Sequence, residues 1–171
     1  MDGCLRRGTL SERPKEDPVS HLERFLAYAA AFEKAYASGD WSLVEPFFTD
    51  DAVYEVPLEP PMGGRFEGRN AILAAFEDVT ARFDRRFESR EVGLLEGPRE
   101  QGDAVWLRGR ATYRAPGVPA FALDLEETAH FEGDRIARLE DRYEPAMKKQ
   151  LEDYTARYGA KLGLGQPARR A

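Results

Sequence analysis

Cysteine is almost missing from this chain: Cys4 stands alone among 171 residues, which rules out an intramolecular disulfide. A reducing, cytoplasmic location is the corresponding expectation. Histidine is nearly as scarce. His21 falls in a first helical turn and His130 on the polar face of a strand. Neither has a Cys, His or carboxylate at metal-ligand spacing, so no metal is expected. Long apolar stretches are lacking too. The longest, Phe25 to Phe32, is less than half of the ~20 residues that span a bilayer. Leu5-Arg6-Arg7-Gly8-Thr9-Leu10 has no apolar segment of the kind a secretion signal carries.

Positive charge is in deficit: 25 Lys+Arg face 31 Asp+Glu, a formal charge of −6. A surface of that sign repels phosphate backbones and anionic lipid, so neither nucleic acid nor a membrane is expected as a partner. The basic doublets Arg6-Arg7, Arg85-Arg86 and Arg169-Arg170 read as solvated surface. The Gly63-Gly64 and Gly68 stretch lacks the Lys-Ser/Thr of a phosphate loop, and no serine sits in a nucleophile elbow. Nucleotide binding and covalent Ser or Cys catalysis are set aside, and no cofactor is expected.

What the chain does have is a core: 42% of its residues are apolar and 11% aromatic, enough to fill one domain. Residues 1–18 mix Gly, Pro and charge without period and read as a mobile tail. Ser20 with Glu23 makes a capping box. It opens a helix whose stripe is Leu22, Phe25, Leu26, Ala29, Phe32 and Tyr36, closed by Ser38-Gly39. Asp40 caps a second, short helix through Trp41, Leu43 and Val44. Ala52 to Val56 reads as a strand, Pro57 to Gly68 as a loop, and Asn70 as the cap of a third helix burying Ile72, Leu73, Phe76, Val79 and Phe83. The hydrophobic period then changes from 3.6 to 2. Strands are predicted near 87–96, 104–114, 121–132 and 135–143, with turns at Glu96-Gly97-Pro98, Gly102-Asp103, Pro116-Gly117 and Gly133-Asp134. A final amphipathic helix carries Met147, Leu151, Tyr154 and Tyr158 on one face. Helices first and a strand meander second predict an α+β domain, with helices packed on one face of a curved antiparallel sheet around a pocket.

Two positions break the apolar pattern. On strand 121–132, alternation puts Phe121, Leu123, Leu125, Glu127, Ala129 and Phe131 on one face, so Glu127 is the ionisable intruder. On the next strand Asp141 shares a face with Ala137, Leu139 and Tyr143. A carboxylate at such a place finds a partner or holds its proton. Two of them on adjacent strands form a candidate acid/base pair. The plain alternative is that each pairs with an arginine or lies wet at the sheet rim. On strand 104–114 the apolar set Val105, Leu107, Gly109, Ala111 and Tyr113 points inward, which sends Arg108 and Arg110 to the other face.

An ordered series of segments resembles the nuclear-transport-factor-2-like superfamily in its SnoaL-like and ketosteroid-isomerase-like branch. The segments are Ser38-Gly39-Asp40-Trp41, Phe47-Phe48-Thr49-Asp50-Asp51-Ala52-Val53-Tyr54-Glu55, Gly68-Arg69-Asn70-Ala71-Ile72, Phe131-Glu132-Gly133-Asp134-Arg135-Ile136 and Asp141-Arg142-Tyr143-Glu144. The likeness covers about residues 20–146. It implies a cone-shaped roll over 19–146, with 147–171 as an added C-terminal helix and tail, a small-molecule ligand in the cone and a homodimer. Ketosteroid isomerases carry their general-base Asp where this chain has Val56 and their oxyanion-hole Tyr where it has Phe32; their second donor, a protonated Asp, falls on Glu127. Steroid isomerisation by that route is therefore not expected. In the limonene-epoxide-hydrolase-like members the water-activating Asp falls on Asp141 and a Tyr on Tyr54, while a water-holding Asn falls on Val56. Their Arg falls on Arg108 and their acid Asp on Arg110, an alignment that requires a β-bulge to turn the strand over.

The resulting expectation is a cofactor-independent lyase, isomerase or hydrolase acting on an apolar, oxygenated substrate. Asp141 serves as base, Glu127 as neutral acid, Tyr54 as a donor to developing oxyanion charge and Arg108 as the group that orients Asp141. Phe32, Val56, Phe76, Leu123, Leu125 and Tyr143 form the pocket wall. The alternatives are a non-catalytic small-ligand binder and a dimeric assembly module whose cone is filled by Phe32, Tyr54 and Tyr143.

Overall fold

The computed structural model describes residues 19–60 and 62–165; the tail expected over 1–18 and the last residues, 166–171, lie outside the described residues. Ser20 and Glu23 close the capping box that opens α1 (His21–Ser38), and Gly39 ends it. A 3-10 turn, Trp41–Phe47, leads into β1 (Phe48–Val56). Then follow β2 (Gly64–Glu67), α2 (Arg69–Arg82), a short 3-10 turn at Asp84–Arg86, and four strands: β3 (Ser89–Gln101), β4 (Ala104–Arg114), β5 (Phe121–Glu132) and β6 (Arg135–Arg142). The chain closes with α3 (Pro145–Leu162). The six strands form one sheet in the order β2-β1-β6-β5-β4-β3. Every pair is antiparallel except β1 with β6. The expected curved antiparallel sheet thus carries one parallel pair. β1 precedes the meander in sequence, and after the intervening helix it lies beside the last strand, running the same way.

Several local readings change for physical reasons. Leu26 is 50% exposed, and the buried face of α1 runs through Phe25, Tyr28 and Ala35 instead. Gly68 rather than Asn70 occupies the N-cap of α2, in a positive-φ conformation that joins the β1–β2 hairpin to the helix, and no side chain caps it. The Pro- and Gly-rich stretch from Pro57 to Gly68, which reads as loop, contains β2: pairing with β1 makes Gly64-Arg65-Phe66-Glu67 a strand. The expected turn at Glu96-Gly97-Pro98 is instead a pair of register shifts inside β3. A Cβ at Gly97 would come 2.9 Å from the Trp106 carbonyl oxygen, so glycine marks a bulge here and not a chain reversal.

The core has two parts. Phe25, Tyr28, Val44, Phe48, Ile72 and Phe76 pack from the helices and β1 against Val105, Ala129, Phe131, Ile136 and Leu139 of the sheet. Leu151, Tyr154 and Leu162 of α3 join Phe83, Phe87, Tyr113, Phe121 and Leu123 in the second. Residues of both line one cavity where the two parts meet.

Candidate functional site

Register decides the site. The β5–β6 pairing sets Glu127 directly opposite Asp141, and β4–β5 sets Leu107 opposite Glu127. Directly opposed residues share a face, so both carboxyls project to the inner side, into a cavity of about 350 Å3. All six expected wall residues, Phe32, Val56, Phe76, Leu123, Leu125 and Tyr143, line it together with Tyr54.

Asp141 is 7% exposed. Its Oδ2 accepts the Tyr54 hydroxyl at 2.8 Å and the Tyr143 hydroxyl at 3.4 Å, while Oδ1 is buried without a hydrogen-bond partner. Burial pushes the Asp141 carboxyl well above the usual range, and the two phenol hydrogen bonds pull it partly back. Glu127 is also pushed up, first by burial and then by the neighbouring Asp141 charge. No hydrogen bond from a described residue reaches its carboxyl. Phenol O–H groups donate to a carboxylate and so favour its ionised form; Asp141 has two and Glu127 none. Asp141 therefore ionises first and Glu127 keeps the shared proton longer. The hydroxyls of Tyr54 and Tyr143 are raised by burial and by Asp141, so they stay neutral donors.

Arg108 is not part of this arrangement. Its side chain is on the outer face of the sheet, 4.0 Å from Asp124, which Arg110 grips with two hydrogen bonds. The β4–β5 register runs unbroken from Ala104 opposite His130 to Tyr113 opposite Phe121, so no bulge turns the strand over. Simple alternation holds, and the expected contact between Arg108 and Asp141 is corrected.

Sequence reasoning missed Tyr28, Asp84 and Arg90 on the same wall. Tyr28 stands one turn before Phe32; its hydroxyl is raised by burial and by the charges of Glu127 and Asp141, and it makes no hydrogen bond to a described residue. The signal was present as an i, i+3 spacing from Phe25. Farther along the wall, Asp84 accepts the Tyr113 hydroxyl at 2.9 Å. Burial pushes its carboxyl up to about 6 against the opposing pull of Arg90. Arg90 pairs with Glu33 at 3.2 Å and lies 4.4 Å over the Tyr36 ring. Asp84 sits in a short turn with no period of its own, so only the tertiary contact with Tyr113 reveals it.

Among the described residues no cluster of His, Cys, Asp and Glu is gathered as a metal site, and no helix is long and apolar enough to cross a membrane. Helices that close a curved, open sheet over a buried cavity define the cone of the nuclear-transport-factor-2-like fold. The SnoaL-like domain model matches residues 28–139, and the chain belongs to that family. Solved structures agree on the fold. TerC, co-crystallised with polyporic acid, is 18% identical with a TM-score of 0.60, over 78% of this chain and 98% of that one. An NTF2-like protein of unknown function from Burkholderia pseudomallei is 15% identical with a TM-score of 0.58, over 77% and 98%. A protein with a ketosteroid-isomerase-like fold from Catenulispora acidiphila, in complex with trimethylamine, is 20% identical with a TM-score of 0.52, over 84% and 96%. A comparison with curated proteins found no match.

Proposed function

We propose that this protein is a cofactor-independent acid/base enzyme, of the isomerase, dehydratase or epoxide-hydrolase type, acting on an apolar oxygenated small molecule. The observation that carries the reading is the buried cross-strand pair Glu127–Asp141 lining an aromatic cavity, with Asp141 Oδ1 unpartnered among the described residues. Asp141 Oδ1 takes a proton from the substrate or from a water. Glu127 donates one to the oxygen that gains electron density. Tyr54 and Tyr143 position Asp141, because their hydroxyls are already engaged there. The donor role expected of Tyr54 passes to Tyr28, whose hydroxyl makes no hydrogen bond to a described residue. Glu33, Asp84 and Asp141 outnumber Arg90 around the wall, so a neutral substrate fits better than an anionic one. That two proteins of this fold hold polyporic acid and trimethylamine supports the reading of the cone as a small-molecule site.

Carboxyl-carbon NMR titration tests it: Glu127 and Asp141 titrate in two coupled steps above the ordinary carboxylate range. Ordinary surface titration of both ends the catalytic reading. A second reading, capture of a small ligand without turnover, is favoured by Val56 standing where ketosteroid isomerases keep their base. The filled-cone assembly reading loses support from the open 350 Å3 cavity. The homodimer stays a proposal for sedimentation to decide.

A further inference from the structure

The inner face of the sheet continues past Glu127. On β3, Arg90, Val92 and Leu94 lie opposite Tyr113, Ala111 and Gly109 of the inward-facing set of β4. Cross-strand partners share a face, so Val92 and Leu94 belong to the inner side of the sheet. They are nonetheless 53% and 55% exposed. Together with Leu107 and Leu125 they wall a groove of about 270 Å3 over Gly109 and Ala111. Its depth comes from a missing side chain. A Cβ at Gly109 would meet Leu107 and the Gly93 carbonyl at 3.5 and 3.6 Å, ordinary contact distances, so packing does not demand glycine there. Arg90, Val92, Ala111, Leu125 and Glu127 line both this groove and the enclosed cavity.

We propose that the groove is the second half of the ligand site, and that the ligand is a two-part molecule. A compact hydrogen-bonding head sits against Asp141 and Glu127. An uncharged apolar extension leaves the cavity across Gly109, between Val92, Leu94 and Leu125. The inference rests on the cavity being a small-molecule site and names the shape of what enters it. The head carries an O–H or N–H, because Asp141 Oδ1 is a buried acceptor with no partner. The extension is apolar because Val92, Leu94, Leu107, Ala111 and Leu125 make most of its wall, beside the charged Arg90, Arg110 and Glu127. Continuity with two buried carboxyls favours a small molecule over a second copy of the chain. The exposed apolar side chains of β3 are Val92, Leu94 and Leu95. These three are few beside the roughly 20–30 residues a side of a stable protein interface.

The test is calorimetric titration of the full chain with para-alkylphenols, from methyl to hexyl. Affinity is expected to rise about fourfold per added methylene through the whole series. In the Leu94→Ser variant, and separately in Gly109→Leu, residues that line the groove and not the cavity, the rise stops after the first short chains, while methylphenol binds as before. A wild-type series that levels off at ethyl overturns the proposal. So does a full rise that both variants retain, since the tail then leaves elsewhere. Concentration-dependent dimerisation that Leu94→Ser abolishes also overturns it, giving the strand to a second copy. Asp141→Asn separates this inference from the reading it rests on. If that variant leaves methylphenol affinity unchanged, the head assignment fails, yet the chain-length slope still reports the groove.

Discussion

The two faces of the sheet across β1, β6 and β5 carry acids and treat them oppositely. On the outer face Asp124 is held by Arg110, Glu55 by Arg65 and Arg138, and Glu140 by Arg138. The arginines hold the Asp124 and Glu55 carboxyls below their usual range, against the opposing effect of burial. On the inner face no described cation forms an ion pair with Glu127 or Asp141, and burial drives both up. A protein able to build that many ion pairs outside has left the inner pair without one. Pairing each inner acid with an arginine would hold it ionised and stop it from exchanging protons near neutral pH. The difference teaches that burial without a cation favours the protonated form of the inner pair, while arginine partners favour the ionised form of the outer acids.

Removing one member of the inner pair is the strongest way to break this contrast. Asp141→Asn is expected to lower turnover by about 10²–10⁴-fold once a substrate is in hand, the usual worth of a general base. The fold should remain intact, as circular dichroism and melting check. Next in size is giving the inner face a cation. Leu107→Arg, directly opposite Glu127, should bring the Glu127 carboxyl down toward its ordinary value of about 4.3 in an NMR titration. Turnover should fall with it, because the acid loses its proton.

Stability should follow pH with a definite sign. Glu127 and Asp141 bind protons more tightly folded than unfolded, so between their unfolded and folded pKa values the native state holds the extra protons. Unfolding free energy therefore falls as pH rises from about 4.5 through the raised folded values. Glu127→Gln should flatten that slope in melts at several pH values and leave the protein more stable than wild type at alkaline pH. Tyr113→Phe, which frees the buried Asp84 carboxyl of its hydrogen bond, should destabilise by about 1 kcal/mol in urea unfolding. Smallest of all, Arg108→Ala on the exposed outer face should leave both turnover and melting temperature unchanged.

Much of this was legible in one dimension because it follows from local periods. Two-residue alternation told that Glu127 and Asp141 interrupt apolar faces and that Arg108 points away from them. The capping box told where α1 begins. The same local logic failed wherever a residue's role is set by a distant neighbour. Leu26 satisfies the helical stripe yet is 50% exposed, while Tyr28 turns its ring into the core. Gly97-Pro98 has turn chemistry, but the Trp106 backbone next to it makes the site a bulge.

The sequence by itself determined the strands of the meander, the inward set of β4 and the two carboxyls that break the apolar faces. Side-chain alternation is a property of the extended chain and needs no partner. Only the tertiary structure decided that Glu127 and Asp141 are direct opposites and that Tyr54 and Tyr143 hold one of them. It also decided that Tyr28, Asp84 and Arg90 complete the wall and that Val92 and Leu94 stand uncovered beside it. Those facts depend on register and on which elements meet across long stretches of chain. A proton's affinity depends on the groups within a few ångströms, and folding chooses those groups.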